Sequence, residues 1–155
     1  MTGAMPLCSR LLFTMELSVG AFLTVGGPEG SARRIANVSG GTFDGERMRG
    51  IVLPDGTDWQ TLRGDGAVML DARVVLKAQD GALIAMTYAG IRHGPPDVMA
   101  RLTRGEHVDA GSYYFRIAPT FATSDPHYEW LNRIVAVGTG QRLPGGPRYD
   151  VHEIL

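Results

Sequence analysis

The stretch that decides the fold is residues 67–78, AVMLDARVVLKA. Its even positions are all apolar, whereas its odd positions include Asp71 and Arg73. Because side chains alternate between two faces along a strand, this pattern predicts a strand with one apolar face. The turn sequence QDG at residues 79–81 follows, and residues 83–92 return as a second alternating run. The pair therefore predicts an antiparallel hairpin.

Glycine and proline divide the rest of the chain into similar short runs rich in β-branched and aromatic residues. The candidate strands are Leu11–Val19, Arg33–Phe43, Arg49–Leu53, Ala67–Ala78, Leu83–Arg92, Tyr113–Phe121, Glu129–Gly138 and Arg148–Ile154. One short helix is predicted to start at Pro95-Pro96-Asp97 and to end at Gly105. The pattern predicts an all-β fold, a single antiparallel β-barrel of about eight to ten strands with one short helix.

Length and composition limit the classes of protein that fit. The 155 residues suit one domain, predicted as residues 11–155 after a flexible N-terminal tail of residues 1–10. A net charge of −1 argues against a nucleic-acid partner, and no run of apolar residues reaches the length of a membrane span. The lone cysteine, Cys8, suits a reducing compartment, so we expect a cytoplasmic protein.

Motifs that bind cofactors or metals have characteristic residue spacings, and the sequence lacks them. No Gly-rich loop ends in Lys-Ser or Lys-Thr, and Gly138-Thr139-Gly140 lacks the third glycine of a dinucleotide fingerprint. No serine lies in a nucleophile elbow, and the four histidines form no His-x-His or His-x-x-x-His pair. The sequence therefore predicts neither a cofactor nor a metal site.

Two arrangements of the strand faces fit the alternation. In the first, the apolar faces form the core and the polar faces meet water. In the second, the mixed faces, which carry Tyr88, Tyr114 and Trp130, line a pocket inside the barrel, because rings with a polar tip suit ligand cavities. The alternation alone leaves this choice open.

The second arrangement supplies candidate functional residues. Asp58 and Asp71 are the candidate catalytic acid–base groups, since a carboxyl beside an apolar wall can exchange protons near neutral pH. The candidate ligand-binding residues are the anion-contacting Arg73, Arg92 and Arg116 and the aromatic Tyr88, Tyr114 and Trp130.

A family resemblance rests on motifs in order along the chain. They are the GGTF run at residues 40–43, VLPDGTDW at 52–59, LDAR at 70–73, GIR at 90–92, YYFR at 113–116 and YEWLN at 128–132. From about Leu11 to its end the chain resembles the domain of unknown function 3237 family, also known as UPF0311 proteins. The resemblance implies a small β-barrel in a homo-oligomer, without an established activity. Its motifs also imply that Trp59 and Asn132 belong to the candidate ligand-binding residues.

Three functions follow as hypotheses. The leading one is a barrel that binds a small, partly apolar carbonyl or carboxylate compound and acts as a cofactor-free isomerase, cyclase or lyase. The alternatives are a structural or interaction protein with a filled barrel, and a lipocalin-like carrier whose pocket is apolar and holds no buried acid. Whether the protein is an enzyme stays open at this point.

Overall fold

A computed structural model describes residues 3–155. In chain order, the strands and the α-helix are β1 Ser9–Val19, β2 Leu23–Gly26, β3 Ser31–Asp44, β4 Arg49–Val52, β5 Gly56–Arg63, β6 Val68–Ala78, β7 Leu83–His93, α1 Pro96–Thr103, β8 Tyr114–Ala122, β9 Val135–Leu143 and β10 Gly146–Ile154. Two short 3₁₀ helices, Ala110–Ser112 and Glu129–Arg133, complete the regular structure. The predicted all-β fold with one short helix is confirmed.

The sheet closes on itself because β1 pairs with β10 on one side and with β3 on the other, both antiparallel. Strands β4 and β5 share one position between β3 and β6, since both pair with both neighbours. Asp55, with φ of 72°, lies in the turn that separates them. The result is an eight-stranded barrel in which the short β2 adds to β3. Closure leaves few free sheet edges.

The hairpin predicted from residues 67–92 is confirmed in detail. Strands β6 and β7 pair without a shift from Val68 opposite Arg92 to Lys77 opposite Leu83. The even positions of β6 are buried and the odd positions are partly or fully exposed. The apolar face therefore turns inward, and this hairpin sets which side of the sheet is the interior.

One end of the barrel is filled with hydrocarbon, and we call it the closed end. Phe13 packs edge-to-face against Phe43 and Phe121, with ring centroids 5.5 Å and 6.1 Å apart. Ile84 and Met86, fully buried, belong to the same core. Burying side chains of this size contributes about 1.5–3 kcal/mol each.

Two local predictions are corrected, and the short strand β2, Leu23–Gly26, was not predicted. Residues 129–133 form a 3₁₀ helix instead of a strand, because the Asn132 side chain bonds both the N–H and the C=O of Thr123 and holds the segment against β8. Strand β5 was missed, because its buried positions include the polar residues Asp58 and Gln60 and so break the expected apolar alternation.

The ends of the predicted domain differ slightly from the structure. Strand β1 starts at Ser9, which pairs with Ile154, two residues before the predicted boundary. Residues 1 and 2 of the predicted tail lie outside the described residues. No helix in residues 3–155 has the length and apolar character needed to cross a membrane.

Candidate functional site

A cavity of about 380 Å³ lies at the end of the barrel opposite the closed end, and we call it the chamber. Its walls come from the β1–β2 connection, from β3, β5, β6, β7 and β9, and from α1. The lining side chains are Phe22, Arg34, Leu62, Val68, Arg92, Met99, Ala100, Leu102, Thr103 and Arg142. A volume of this size accommodates a small organic ligand.

Helix α1 covers the chamber. It begins after Pro95, which presets the backbone, and Gly105, with φ of 77°, follows its end in the left-handed conformation that glycine tolerates. Val98 and Leu102 are buried on the barrel side, and Met99 is half-buried. The helix is therefore held by apolar contacts, and it presents methyl and thioether groups to the chamber.

A chain of hydrogen bonds leads from the chamber wall into the barrel. The Arg34 Nε–H donates to Gln60 Oε1 at 2.9 Å, and the Gln60 amide donates to Asp58 Oδ2 at 2.7 Å. Arg34 and Gln60 are cross-strand partners on β3 and β5, and Asp58 follows two residues away on the same inward face. The strand register thus holds Gln60 between a cation and a carboxyl.

Asp58 is enclosed, with 6% of its surface exposed. Burial raises the pKa of Asp58 above its ordinary value, while the hydrogen bond from Gln60 and the charge of Arg92 act in the opposite direction. A carboxyl in this environment exchanges protons closer to neutral pH than a surface aspartate does. It is the only carboxyl group that is buried among the described residues.

Arg92 is the deepest of the three chamber arginines, with 5% of its surface exposed. Its guanidinium lies over the Phe115 ring, 5.1 Å from the centroid. Burial, and then the nearby charge of Arg142, lower the pKa of Arg92 to about 10, so the group stays cationic at neutral pH. Gly140 makes room for this stack, because a Cβ there would lie 2.7 Å from the Phe115 ring.

Two tyrosines lie beneath the polar groups. The hydroxyls of Tyr88 and Tyr149 are 3.5 Å apart, and their rings meet edge-to-face with centroids 5.3 Å apart. Burial, more than any charge, raises the pKa of both phenols. Both hydroxyls therefore stay protonated at neutral pH and serve as neutral hydrogen-bonding groups at the boundary with the apolar core.

Within residues 3–155, only two buried side-chain nitrogen or oxygen atoms lack a hydrogen-bond partner: Asp58 Oδ1 and Arg92 Nε. One is an acceptor and the other is a donor, and both belong to the same inward-facing cluster. Buried polar groups are nearly always paired, since an unpaired one costs about 1–3 kcal/mol. Unpaired groups of this kind lower the stability of the fold, so they indicate a role other than stabilising it.

The sequence-predicted site residues divide into two sets. Asp58, Tyr88 and Arg92 face the interior and belong to this cluster. Asp71 and Arg73 are exposed on the outer wall, because they occupy the odd positions of β6. The prediction that the mixed face of this strand lines an interior pocket is wrong.

The remaining predicted residues also lie outside the chamber. Trp59 and Tyr114 are 50% and 45% exposed, and Arg116 stacks over the Tyr114 ring, 4.7 Å from its centroid. Trp130 and Asn132 are on the 3₁₀ helix, where Arg47 stacks on the Trp130 ring. Trp59, Tyr114 and Arg116 occupy outward-facing strand positions. Trp130 and Asn132 lie on a 3₁₀ helix and so do not belong to the barrel wall.

Sequence reasoning missed four residues of the cluster: Arg34, Gln60, Arg142 and Tyr149. Arg34 shares the inward face of β3 with Ala36 and Val38, and this alternation is visible in the sequence. Arg142 lies four residues after the inward-facing Gly138 on β9. Extending the alternation of inward-facing positions to the ends of β3 and β9 would have identified both arginines.

Comparison with known proteins places the fold among relatives. The family model described as "Protein of unknown function (DUF3237)" matches residues 8–154. A UPF0311 protein of Rhodopseudomonas palustris is 35% identical over 147 residues, which cover 95% of this chain and 96% of that protein. The crystal structure of a conserved protein of unknown function from the same species superposes with a TM-score of 0.95, at 35% identity, over 98% of this chain and all of that one.

A more distant relative has a named activity. The hydroalkoxylation enzyme phnH of Penicillium herquei is 26% identical over 134 residues, which cover 86% of this chain and 74% of that enzyme. The crystal structure of an enzyme from Penicillium herquei superposes with a TM-score of 0.76 at 23% identity, over 99% of this chain and 98% of that one. At that identity the superposition shows a shared fold.

Proposed function

The chain belongs to the DUF3237 family, and we propose that it binds a small, partly apolar organic compound bearing a carbonyl or carboxylate and catalyses a cofactor-free proton transfer on it. The observation that carries the proposal is the pair of unpaired buried atoms, Asp58 Oδ1 and Arg92 Nε. Arg92 lines the chamber of about 380 Å³, and Asp58 is linked to the chamber wall through Gln60 and Arg34. A carboxyl with a raised pKa and a guanidinium together provide a proton carrier and a stabiliser of negative charge.

The reaction class we propose is ring closure by addition of a hydroxyl group across a C=C bond conjugated to a carbonyl. The hydroxyl oxygen forms the new C–O bond while its proton leaves, and the π electrons move to the carbonyl oxygen as an enolate. A proton then adds to the α-carbon and restores the carbonyl. The product is an isomer of the substrate, so no oxidant, reductant or leaving group is needed.

Each step has a candidate group in the cluster. The guanidinium of Arg92, buried and cationic, suits an enolate oxygen, and Arg34 and Arg142 add positive charge around it. Asp58 suits the proton exchange, because its raised pKa keeps both protonation states accessible. The relative named as a hydroalkoxylation enzyme supports this class, since hydroalkoxylation is the addition of a hydroxyl group to an alkene.

The buried acid and the three arginines argue against the two alternatives. A carrier for apolar ligands has no use for a carboxyl that is 6% exposed with an unpaired oxygen. A barrel filled for structural purposes would be packed at both ends as it is at the closed end. Neither alternative accounts for the polar cluster under α1.

The test uses 1-(2-hydroxyphenyl)but-2-en-1-one, whose ring closure gives 2-methylchroman-4-one of the same mass. We expect the protein to accelerate closure, to give one enantiomer in excess and, in D₂O, to place one deuterium on the α-carbon. Asp58→Asn is expected to slow closure by about 10²–10⁴-fold, the usual contribution of a general acid–base group. Asp71→Asn, an exposed aspartate on β6, is the matched control and should close the ring at the wild-type rate.

Two outcomes would contradict the proposal. Equal rates for the wild-type protein and Asp58→Asn would remove Asp58 from the chemistry. A panel of such hydroxy-enones in which none closes faster than in buffer would reject catalysis while leaving ligand binding to be measured separately.

A further inference from the structure

The chamber holds more positive than negative charge. Three guanidiniums, those of Arg34, Arg92 and Arg142, line it, and Asp58 is the one carboxyl beside them among the described residues. Within residues 3–155, none of the three arginines forms an ion pair. Arg34 donates instead to the neutral amide of Gln60.

Among the described residues, most arginines outside the chamber pair with a carboxylate. On the surface, Arg10 and Arg47 both pair with Glu153, Arg63 pairs with Asp65, and Arg104 pairs with Glu106. Water screens these charges, so pairing them matters little. Inside the chamber screening is weaker and an unpaired charge is more costly, yet there the partner carboxylates are missing.

The cations are also held in place. The Arg34 guanidinium lies 4.0 Å from the Phe22 ring centroid, and the Arg92 guanidinium rests on Phe115. The backbone N–H of Arg142 donates to the Tyr113 hydroxyl at 2.8 Å, which holds the base of that side chain. Burial and the positive charge of Arg142 lower the pKa of Arg34 and of Arg92. Mutual repulsion between the guanidiniums is therefore sustained, and the nearby carboxyl of Asp58 offsets it only in part.

The other half of the chamber wall is apolar. Leu62, Val68, Met99 and Leu102 contribute hydrocarbon or thioether surface, and α1 brings two of them over the cavity. An inorganic anion would have no use for such a wall, whereas an organic anion buries its hydrocarbon there. The chamber thus has a cationic half and an apolar half.

We propose that the chamber takes its ligand as an organic anion, an aromatic carboxylate or the conjugate base of an acidic phenol or enol, with its charge held by Arg34, Arg92 and Arg142. This inference rests on the proposed function and narrows it, because it favours anions over neutral carbonyl compounds of the same shape. Guanidinium groups recognise paired oxygens by parallel hydrogen bonds, so a carboxylate fits this set well.

The probes are 2-naphthoate and its neutral isostere 2-naphthamide, measured by calorimetry on the full chain at neutral pH. We expect naphthoate to bind at least about tenfold more tightly than naphthamide, a ratio equal to about 1.4 kcal/mol. Inorganic phosphate at the same concentration should not displace naphthoate.

Variants identify the contributing charges. Arg142→Gln and Arg34→Gln are each expected to weaken naphthoate binding about tenfold and naphthamide binding by a much smaller factor, since each removes one charge from the chamber wall. Arg73→Gln, exposed on the outer face of β6, is the matched control and should bind both probes as the wild type does. Two variants are used so that a folding defect in one does not decide the result.

Failure of the anion preference and failure of the proposed binding function give different results. Naphthamide binding as tightly as naphthoate would overturn the anion preference and leave the proposed small-molecule chamber standing. Phosphate displacing naphthoate at equal concentration would replace the organic anion with an inorganic one. Binding of neither aromatic probe would overturn both this inference and the proposed binding function.

Discussion

At the closed end of the barrel, Phe13 meets Phe43 and Phe121 edge-to-face within an apolar core. At the other end, β5 and β7 turn Asp58 and Arg92 inward, each with an unpaired polar atom. The closed end supplies stability, and the polar end lowers it in exchange for charged groups held in fixed positions. Separating the two along one barrel lets each be altered with little effect on the other.

The largest effect is expected at the closed end. Phe43→Ala removes a fully buried ring, and large-to-small changes of this kind cost about 3–5 kcal/mol of unfolding free energy. Urea denaturation measures the loss. The folded fraction should still bind 2-naphthoate with wild-type affinity, and a weakened affinity would show that the two ends are not independent.

A smaller effect, on both stability and naphthoate affinity, is expected at Gly140, which lies between the two ends of the barrel. Gly140→Ala places a methyl group 2.7 Å from the Phe115 ring, and overpacking of this kind costs about 1–3 kcal/mol. Because Phe115 supports Arg92, naphthoate affinity should fall as well. Gly145→Ala is the control, since nothing lies within 4 Å of a Cβ at that position. Equal behaviour of the two variants would contradict the described packing.

At the polar end, one substitution is expected to increase stability. The pKa of Asp58 is higher in the folded state than in the unfolded chain, so ionisation of this carboxyl costs stability at pH values above the ordinary range of aspartate, and costs nothing below it. Asp58→Asn should therefore raise the unfolding free energy by about 0.5–2 kcal/mol at neutral pH, the range common for single stabilising substitutions.

The pH dependence checks the cause of that gain. The stability difference between Asp58→Asn and the wild type should shrink as pH falls through and below the ordinary range of aspartate, where the wild-type carboxyl is protonated in both states. Thermal unfolding at several pH values measures it. Asp71→Asn, exposed on β6, should show no such change, and a gain that persisted in acid would point to a cause other than charge burial.

The smallest effect is expected on the outer wall. Arg116 stacks on the exposed Tyr114 ring, outside the chamber. Arg116→Ala should change the unfolding free energy by no more than about 0.5 kcal/mol and leave naphthoate binding unchanged. Reduced affinity in calorimetry would mean that the ligand binds outside the barrel and would reverse the assignment of the two faces.

The fold was predictable because its signals are local. The alternation in residues 67–78 and the turn after it specify a hairpin, and the barrel follows from several such runs in sequence. Local signals failed in three places. Strand β2 was not predicted, and Asp58 and Gln60 interrupt the apolar pattern of β5. Residues 129–133 were predicted as part of a strand, but Asn132 holds them as a 3₁₀ helix.

The site was only partly predictable because it assembles from distant strands. Asp58 and Arg92 were found as residue types suited to chemistry, but their neighbour Arg34 on β3 and Arg142 on β9 become close only after the barrel closes. The outward-facing Tyr114 was predicted as a pocket residue because exposed rings are costly in water, and Trp59 because it matches a family motif. Which inward-facing residues of different strands meet depends on closure, and no single strand carries that information.

Helix α1 belongs to residues 94–113, the connection between β7 and β8, so the roof of the chamber is a single segment between two neighbouring strands. Its two ends are anchored beside Arg92 and Phe115, which belong to the strands that it joins. This segment can therefore change during evolution while the three chamber arginines and the phenylalanines of the closed end are kept. Such a change alters the shape of the chamber wall that contacts the apolar part of a ligand. We expect barrels of this kind that bind different ligands to differ mainly in this segment.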